Sequence, residues 1–364
     1  MRERNTMNLY DHPLYREDLS SAAALPLPWE KLAGKRLLLS GATGLVGSFL
    51  ADCLMAKNRE GLGCRILALT RNPERAAERF SAWRGLPELA FRAADVNRLR
   101  PEDLGEKADI VLHLASNTHP MQYATDPIGT ITTNILGLQN LLEAAVRGGA
   151  ERFVFASSNE IYGENRGDTE LFDEKYCGYI DCNTLRAGYP ESKRCGEALC
   201  QAYRTQKGLD VVIPRLTRSY GPTLRSSDTK ALSQFLRKAL AGEDIVLKSA
   251  GTQFYSYTYV SDAVSGLLTV LLKGESGEAY NIADEKSDIT LKDLAALIAG
   301  YAGKRVVFEI PDAVESAGYS RATKARLDGG KLRALGWECR TDLPEGIRRT
   351  MEILKDTGKG AETK

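Results

Sequence analysis

The sequence predicts an α/β fold in which helices cover both faces of a doubly wound parallel sheet, with a smaller lobe built from later residues. Short apolar segments recur along the chain, helical patterns lie between them, and a glycine-rich turn directly follows the first segment. Continuous apolar runs are typical of parallel strands because helices bury both faces of the sheet. We assign strands to Arg36–Ser40, Arg65–Thr70, Asp109–Leu114, Arg152–Ala156 and Asp210–Pro214.

Two helical patterns supply crossovers between these strands. Ile135–Val146 carries leucines at helical spacing, and Tyr189–Gln206 lies between the last two strands. Crossovers between parallel strands are right-handed, so we expect both helices on the same side of the sheet.

Changes in pattern predict the domain boundaries. After Tyr220-Gly221-Pro222, a helix over 230–241 and a strand over 244–248 mark the start of the smaller lobe. The segments 260–273 and 280–283 return to the main domain. We expect an N-terminal extension (1–34), a main domain (35–220, with a returning segment 252–284), a C-terminal substrate lobe (221–251 and 285–355) and a disordered polar tail (356–364).

Composition narrows the class of partner. The 49 basic and 48 acidic residues nearly balance, which argues against nucleic acid or an acidic membrane surface and favours a small molecule. The only apolar stretch near the N-terminus is broken by Pro26 and Pro28, and no run reaches the ~18 residues of a membrane span. Seven cysteines, without histidines beside them, predict reduced thiols in the cytoplasm and no metal site.

The turn after the first strand predicts a Rossmann-type dinucleotide site. Gly41, Gly44 and Gly47 follow a strand and open a helix, with the spacing G-x-x-G-x-x-G. Glycine lets the backbone approach phosphates closely, and the helix N-terminus supplies amide donors and a partial positive charge. We therefore expect this turn to bind NAD or NADP, with further contacts from Thr43, Leu45 and Val46.

The end of the second strand predicts which dinucleotide is preferred. An acidic residue there would bind the ribose 2′-hydroxyl of NAD, but the chain has Thr70-Arg71-Asn72. A cation suits a 2′-phosphate, so Arg71 favours NADP over NAD. We expect Asp95 and Val96, after the next strand-like segment, to contact the adenine.

A Tyr and a Lys four residues apart suggest a catalytic base. Tyr189 and Lys193 would share one face of a helix, where an ammonium near the phenol favours the phenolate. An ordinary Tyr titrates near ~10, so a phenol that accepts a proton at neutral pH needs such help. The segment Ser157–Gly163 follows a strand end, where parallel sheets bind ligands, and should face the nicotinamide.

Together with the glycine turn, Ser158, Tyr189 and Lys193 make the chain resemble the extended short-chain dehydrogenase/reductase family. Within it, the pattern is similar to the nucleotide-sugar epimerases, dehydratases and decarboxylases over about residues 35–355. Further motifs match in the expected order: Leu112–Ser116, Asn134–Gly137, Arg215 with Tyr220-Gly221-Pro222, Tyr259–Asp262 and Leu335–Trp337.

The resemblance implies transient oxidation of a sugar hydroxyl, usually at C4, to a 4-keto intermediate. Tyr189 would take the hydroxyl proton, Lys193 would lower the Tyr pKa and hold the nicotinamide ribose, and Ser158 would bond the reacting oxygen. The resemblance also places Leu114, Ala115, Ser116 and Asn134 at the cofactor.

Asn159 and Glu160 bear on the step that follows oxidation. The related 4,6-dehydratases carry Asp-Glu here, and Asn159 cannot donate a titratable proton, which counts against dehydration. The UDP-glucuronate decarboxylases carry Ser-Glu after a Thr, and the run Arg186–Arg194 with Glu197 also resembles them. We rank 4-epimerisation and decarboxylation equally, with Glu160 either catalytic or a supporting carboxylate.

Two departures from the family concern the substrate's diphosphate. Arg218 stands where members usually carry Asn, and Tyr255 stands where they usually carry an Arg that grips the diphosphate. We hypothesise that Arg218, with Arg225 or Arg321, supplies the missing charge, since Arg suits bidentate phosphate contacts. The alternative is a structural Arg paired with a carboxylate.

Two other functions remain open at this stage. An NADPH-consuming reductase of a keto-sugar or related carbonyl is supported by Arg71, and a catalytically silent dinucleotide sensor would keep the fold without the chemistry. The intact Ser158, Tyr189 and Lys193 argue against a sensor. The family resemblance also implies a homodimer formed by the helices around Leu138 and Glu197.

Overall fold

The computed structural model describes residues 7–104, 107–118, 120–309 and 323–358. Its main sheet is parallel throughout, with strand order β11-β7-β5-β4-β1-β2-β3 and β6 beside β7. This order confirms the predicted α/β class. The strands are β1 (Arg36–Ser40), β2 (Arg65–Thr70), β3 (Leu89–Ala93), β4 (Ile110–His113), β5 (Arg152–Phe155), β6 (Ser157–Ser158), β7 (Val211–Leu216) and β11 (Ala279–Ile282).

Helices cover both faces of this sheet, and others pack against the strands outside it. They are α1 (Pro13–Ala23), α2 (Leu45–Arg59), α3 (Pro73–Arg79), α4 (Pro120–Thr125), α5 (Pro127–Thr132), α6 (Leu138–Gly148), α7 (Gly188–Lys207), α8 (Ala231–Leu240), α9 (Val260–Lys273), α10 (Leu291–Tyr301), α11 (Gly330–Arg333) and α12 (Leu343–Asp356). The apolar side chains of β1 alternate between two cores, since Leu37 and Leu39 pack with α2 and α9 whereas Leu38 packs with α6 and α7. As expected, α6 and α7 share one face.

The predicted helix over residues 135–146 begins differently from the expectation. A π-helical turn at Thr133–Gly137 leads into α6, and Gly149 ends the helix in a left-handed conformation with φ 67°. Single π turns inside helices are uncommon and are often found at functional sites. Here the turn carries Asn134, one of the residues expected at the cofactor.

Two small sheets lie outside the main one. β10 (Phe254–Tyr259) pairs with β12 (Asp288–Thr290), β14 (Lys324–Ala325) and β8 (Arg218–Tyr220), while β13 (Val306–Phe308) pairs with β9 (Ile245–Leu247). The segment expected to return at 252–284 is therefore mixed. Its first strand, β10, joins a small sheet, and α9 with β11 joins the main domain.

The described part of the N-terminal extension is packed into the core. Tyr15 of α1 is fully buried and donates to Asp52 of α2 over 2.5 Å, and Asp52 also accepts from Arg79 and Trp83. Asp18 accepts a 2.6 Å bond from Tyr259 of β10. Helix α1 thus ties α2 to the small sheet.

The last helix extends into the segment expected to be a disordered tail. Helix α12 continues to Asp356, and the rest of the expected tail from residue 359 lies outside the described residues. No described helix has the length and apolarity needed to cross a membrane.

Candidate active site

A cavity of about 820 Å³ opens at the carboxyl ends of the main strands. It runs from the glycine turn (residues 41–47), past Tyr189 and Lys193, to Arg218 and α8. Of the residues predicted from the sequence, the cavity is lined by Gly41, Gly44, Leu45, Val46, Gly47, Leu114, Ser116, Ser158, Asn159, Glu160, Tyr189, Lys193, Arg218 and Tyr255.

The glycine turn fits a dinucleotide pyrophosphate. A Cβ added to Gly41, whose φ is 77°, would lie 2.6 Å from the backbone nitrogen of Ala115, and one on Gly47 would lie 2.2 Å from the carbonyl oxygen of Gly41. Only glycine tolerates these approaches. No side chain caps the N-terminus of α2, so its amide groups are left for a ligand.

Tyr189 stands at the centre of the cavity, beside Ser158 and Ser116. Burial raises its pKa above the ordinary range, the charge of Glu160 raises it further, and hydrogen bonds to Ser158 and Ser116 lower it. Tyr123 of α4 stacks on its ring, with centroids 5.0 Å apart. The phenol is therefore held among hydrogen-bonding partners and is protonated at neutral pH.

Lys193 does not bond the phenol, contrary to the expectation from the i, i+4 spacing. Its Nζ donates to the carbonyl oxygen of Ala156 over 2.8 Å and lies 4.7 Å from the ring centroid of Phe155. Burial lowers its pKa to about 7, an effect that Glu197 opposes. Lys193 is not among the groups that shift the Tyr189 pKa most, and burial disfavours the charged form of both residues. The expected lowering of the Tyr189 pKa by Lys193 stays a prediction.

The floor of the cavity is held by a chain of hydrogen bonds through Asn134. Its Nδ2 donates to Ser192 over 2.9 Å, and its Oδ1 accepts from Ser116 over 2.8 Å. Ser192 in turn donates to the carbonyl oxygen of Tyr189. Asn134 is fully buried and acts as a positioning residue that connects β4 to the start of α7.

Glu160 forms an ion pair inside the cavity. Nη2 of Arg186 lies 2.9 and 2.8 Å from its two carboxylate oxygens, and the guanidinium carbon lies 4.8 Å from the ring centroid of Tyr123. Arg186 and Tyr123 were not assigned from the sequence. Arg186 precedes Tyr189 by three residues, which is helical spacing, but Tyr123 carried no local signal.

Arg218 and Tyr255 lie on the paired strands β8 and β10 and contact each other. The guanidinium carbon of Arg218 is 3.5 Å from the ring centroid of Tyr255. Nη1 of Arg218 is buried without a hydrogen-bond partner among the described residues. This arrangement differs from the structural alternative, in which Arg218 would pair with a carboxylate.

Several predicted residues lie away from the cavity. Arg225, expected with Arg218, instead bonds Thr43 of the glycine turn. Arg71 is exposed at the end of β2, Asp95 caps a short turn through Asn97, and Val96 is buried against the helix carrying Asn134. Arg321 lies outside the described residues.

The substrate side of the cavity includes residues that sequence reasoning missed. Lys230, Lys238 and Lys248 line it together with Phe235 and Leu247. They belong to α8, β9 and their flanking residues, a region whose sequence carried no recognisable spacing. The cavity wall is therefore cationic near Arg218, which suits an anionic ligand.

The buried Lys193 predicts a specific pH dependence of stability. Because its folded pKa is about 7 and its ordinary value is ~10.4, the unfolded chain binds one more proton between these values, so native stability rises with pH across that window. Lys193→Met removes this dependence. Its stability relative to the wild type should be highest below pH ~7 and should fall by on the order of 4 kcal/mol towards pH ~10.

Urea unfolding at several pH values measures this difference. Lys207→Met, at an exposed position of the same helix, is the control and should follow the wild type. Parallel pH profiles for Lys193→Met and the wild type would show that Lys193 titrates normally.

Comparisons with known proteins agree with this site. The model of the NAD dependent epimerase/dehydratase family matches residues 37–283. UDP-glucuronic acid decarboxylase 1 of Xenopus tropicalis is 32% identical over 324 residues, covering 88% of this chain and 72% of the relative. UDP-glucuronic acid decarboxylase 3 of Arabidopsis thaliana is 31% identical over 312 residues, covering 86% of each.

Among solved structures, a double mutant of dTDP-glucose 4,6-dehydratase from Streptomyces venezuelae, with NAD bound, superposes with a TM-score of 0.75. It is 26% identical, and the match covers 88% of this chain and 97% of that one. With the glycine turn, Ser158 and Tyr189 around one cavity, these matches show that the chain belongs to the NAD-dependent epimerase/dehydratase family, in its nucleotide-sugar group.

Proposed function

We propose that this protein oxidises a nucleotide sugar transiently at C4 and then epimerises or decarboxylates the 4-keto intermediate. One observation carries the proposal: a single cavity holds the glycine turn, the Ser158–Tyr189 pair and Arg218, whose Nη1 is buried without a hydrogen-bond partner among the described residues. These are a dinucleotide cradle, a proton-transfer group and an anion-binding group. The family's relatives named as UDP-glucuronic acid decarboxylases favour a UDP-sugar as the substrate.

Proton transfer falls to Tyr189. As the phenolate, its Oη would accept the proton of the sugar hydroxyl, while Ser158 bonds the same oxygen as it becomes a carbonyl. Bound NAD(P)+ supplies the hydride acceptor and a positive charge that favours the phenolate. Lys193, whose Nζ donates to the carbonyl oxygen of Ala156, would hold the nicotinamide ribose of the bound cofactor.

Asn159 and Glu160 constrain the second step. Asn159 is buried and lines the cavity but has no proton to donate in an elimination, so dehydration ranks below the other two outcomes. Glu160 is held by Arg186, which fixes the orientation of its carboxylate in the cavity. A carboxylate at this place suits proton abstraction beside the 4-keto group or stabilisation of a substrate hydroxyl.

We further propose that the cofactor is NADP in preference to NAD. The support is Arg71, exposed at the end of β2, with no acidic residue in Thr70–Asn72. The solved relative named above contains NAD, so the preference is proposed for this chain from its own residues and does not come from that relative.

Product analysis tests the proposed reaction. The protein is incubated with UDP-glucuronic acid, UDP-glucose or dTDP-glucose and a catalytic amount of oxidised cofactor, and the products are separated and weighed by mass spectrometry. We expect loss of CO2 or an isomer of unchanged mass, and no net change in reduced nicotinamide. Tyr189→Phe should abolish turnover.

Four results would contradict the proposal. In a parallel incubation with excess NADPH, its stoichiometric consumption would identify a reductase, and loss of water from the substrate would identify a dehydratase. Turnover that persists in Tyr189→Phe would remove the assigned base, whereas cofactor binding without turnover of any sugar nucleotide would favour a sensor.

Arg218 should bind the diphosphate in place of the Arg that relatives carry at position 255. We expect Arg218→Asn to weaken UDP binding by about tenfold or more, since charged hydrogen bonds to phosphate are among the stronger ones. The double variant Arg218→Asn/Tyr255→Arg moves the guanidinium to the adjacent strand and should recover much of the affinity. Isothermal titration with UDP measures both.

Arg305→Ala, at a guanidinium 86% exposed and distant from the cavity lining, is the control and should bind UDP as the wild type does. Unchanged UDP affinity in Arg218→Asn would contradict the role of Arg218. If the double variant bound UDP no more tightly than Arg218→Asn, a guanidinium on β10 could not replace the one on β8.

We also propose that the protein is a cytoplasmic homodimer. Leu138 and Glu197, around which the interface was expected, are turned inwards, but large apolar side chains nearby are exposed. They lie on α4, α5 and the adjoining turns: Met121, Ile128, Ile131, Leu136 and Leu185. Such a patch suits a second copy of the chain.

Light scattering after gel filtration tests the dimer. Ile128 is 75% exposed, and Ile128→Glu should convert a dimer to a monomer because it places a charge in the interface. Phe308→Glu, at an exposed position of β13, should leave the mass unchanged. A monomeric wild type would refute the proposal.

A further inference from the structure

The loop that leaves β8 folds over the glycine turn. Thr223 donates from Oγ1 to the carbonyl oxygen of Leu45 over 2.8 Å. Arg225 donates from Nη2 to Thr43 Oγ1 over 2.7 Å and from Nε to the Thr43 carbonyl oxygen over 3.1 Å. A guanidinium from outside the nucleotide motif is therefore fastened to that motif.

Two further guanidiniums approach the same place. β1 and β2 run side by side with Ser40 opposite Leu69, so Arg71 follows the strand end next to the glycine turn. Arg75 lies in the first turn of α3, which begins just after Arg71. Desolvation, and then the like charges of Arg75 and Arg71, lower the pKa of Arg225, while Asp228 raises it.

Nearby carboxylates offset this positive charge only in part. Within residues 7–104, 107–118, 120–309 and 323–358, no carboxylate forms an ion pair with Arg71, Arg75 or Arg225; Asp228 acts on Arg225 through its charge and forms an ion pair with Lys230. Like charges held together cost free energy unless an anion lies among them. Guanidinium groups match phosphate oxygens well because each can donate two parallel hydrogen bonds.

We propose that Arg225, together with Arg71 and Arg75, binds the 2′-phosphate of NADP. The inference rests on the proposed function, since it takes the glycine turn as the dinucleotide site. It adds a specificity residue that comes from the loop preceding the substrate lobe and not from the β2 end. Thr43 keeps the guanidinium at the turn, so the positive charge is in place before the ligand binds.

A simpler role for Arg225 is to fasten the loop to the glycine turn. That role would affect every dinucleotide equally, whereas binding of the 2′-phosphate affects only ligands that carry it. The two ligands ADP-ribose and 2′-phospho-ADP-ribose differ in that group alone, so the ratio of their dissociation constants separates the roles.

Isothermal titration of the full-length protein with both ligands provides the test. We expect the wild type to bind 2′-phospho-ADP-ribose at least about tenfold more tightly than ADP-ribose. Arg225→Gln removes the charge but keeps a donor for Thr43, and it should reduce this ratio about tenfold while leaving ADP-ribose binding unchanged. Arg71→Ala should reduce the ratio similarly, Arg225→Lys should retain part of it, and Arg305→Ala should retain all of it.

The outcomes are distinct. Equal losses for both ligands in Arg225→Gln, with the ratio preserved, would overturn the inference in favour of a fastening role. A wild type without preference for the 2′-phosphate would also overturn it, together with the proposed preference for NADP, while leaving the proposed reaction on the nucleotide sugar intact. If neither ligand bound, the dinucleotide site and the proposed function would both fail.

Discussion

The close seating of α7 on the ends of β5, β6 and β7 is the constraint on which the active site depends. Gly196 makes it possible, since a Cβ there would lie 2.6 Å from the ring of Phe155. One turn earlier, Lys193 reaches over the same ring to the carbonyl oxygen of Ala156. Glu197 completes the contact through two hydrogen bonds from Arg215, of 2.9 and 2.6 Å. Because these contacts fix α7 against the strand ends, Tyr189 at the start of the helix has little freedom to move relative to the strands.

Burial then decides the electrostatics of the cavity. Tyr189 and Lys193 are both removed from water, so each is shifted towards its neutral form, and the Nζ of Lys193 donates to the carbonyl oxygen of Ala156. Charge is kept instead at the edges, in the Glu160–Arg186 pair and in Arg218. The cavity therefore has a neutral centre and carries its charged groups at the edges, where Arg218 can meet an anionic ligand.

The fold was largely predictable because its signals are local. The strands of the main sheet are apolar runs, and the residues of α7 follow a helical pattern. The glycine spacing at Gly41 indicates a turn in which backbone segments approach closely, as the structure has it. The site was less predictable where it depends on contacts between distant segments. Arg225 was expected beside Arg218, but seven residues along a loop carried it to the glycine turn instead. Tyr123 stacks on Tyr189 from a helix more than sixty residues away in sequence, so no local sequence pattern indicates this contact.

From the order of residues alone we could predict the class of fold and propose the dinucleotide turn and the proton-transfer residues, because each depends on short spacings along the chain. The pKa shifts of Tyr189 and Lys193, and the places of Arg218 and Arg225 relative to the cavity and the glycine turn, depend on the tertiary structure. Nothing in the order of residues states that β8 and β10 pair, so only the folded chain reveals that Arg218 lies against Tyr255 and faces the cavity. The physical reason is that desolvation and pairing between distant strands exist only after the chain has folded.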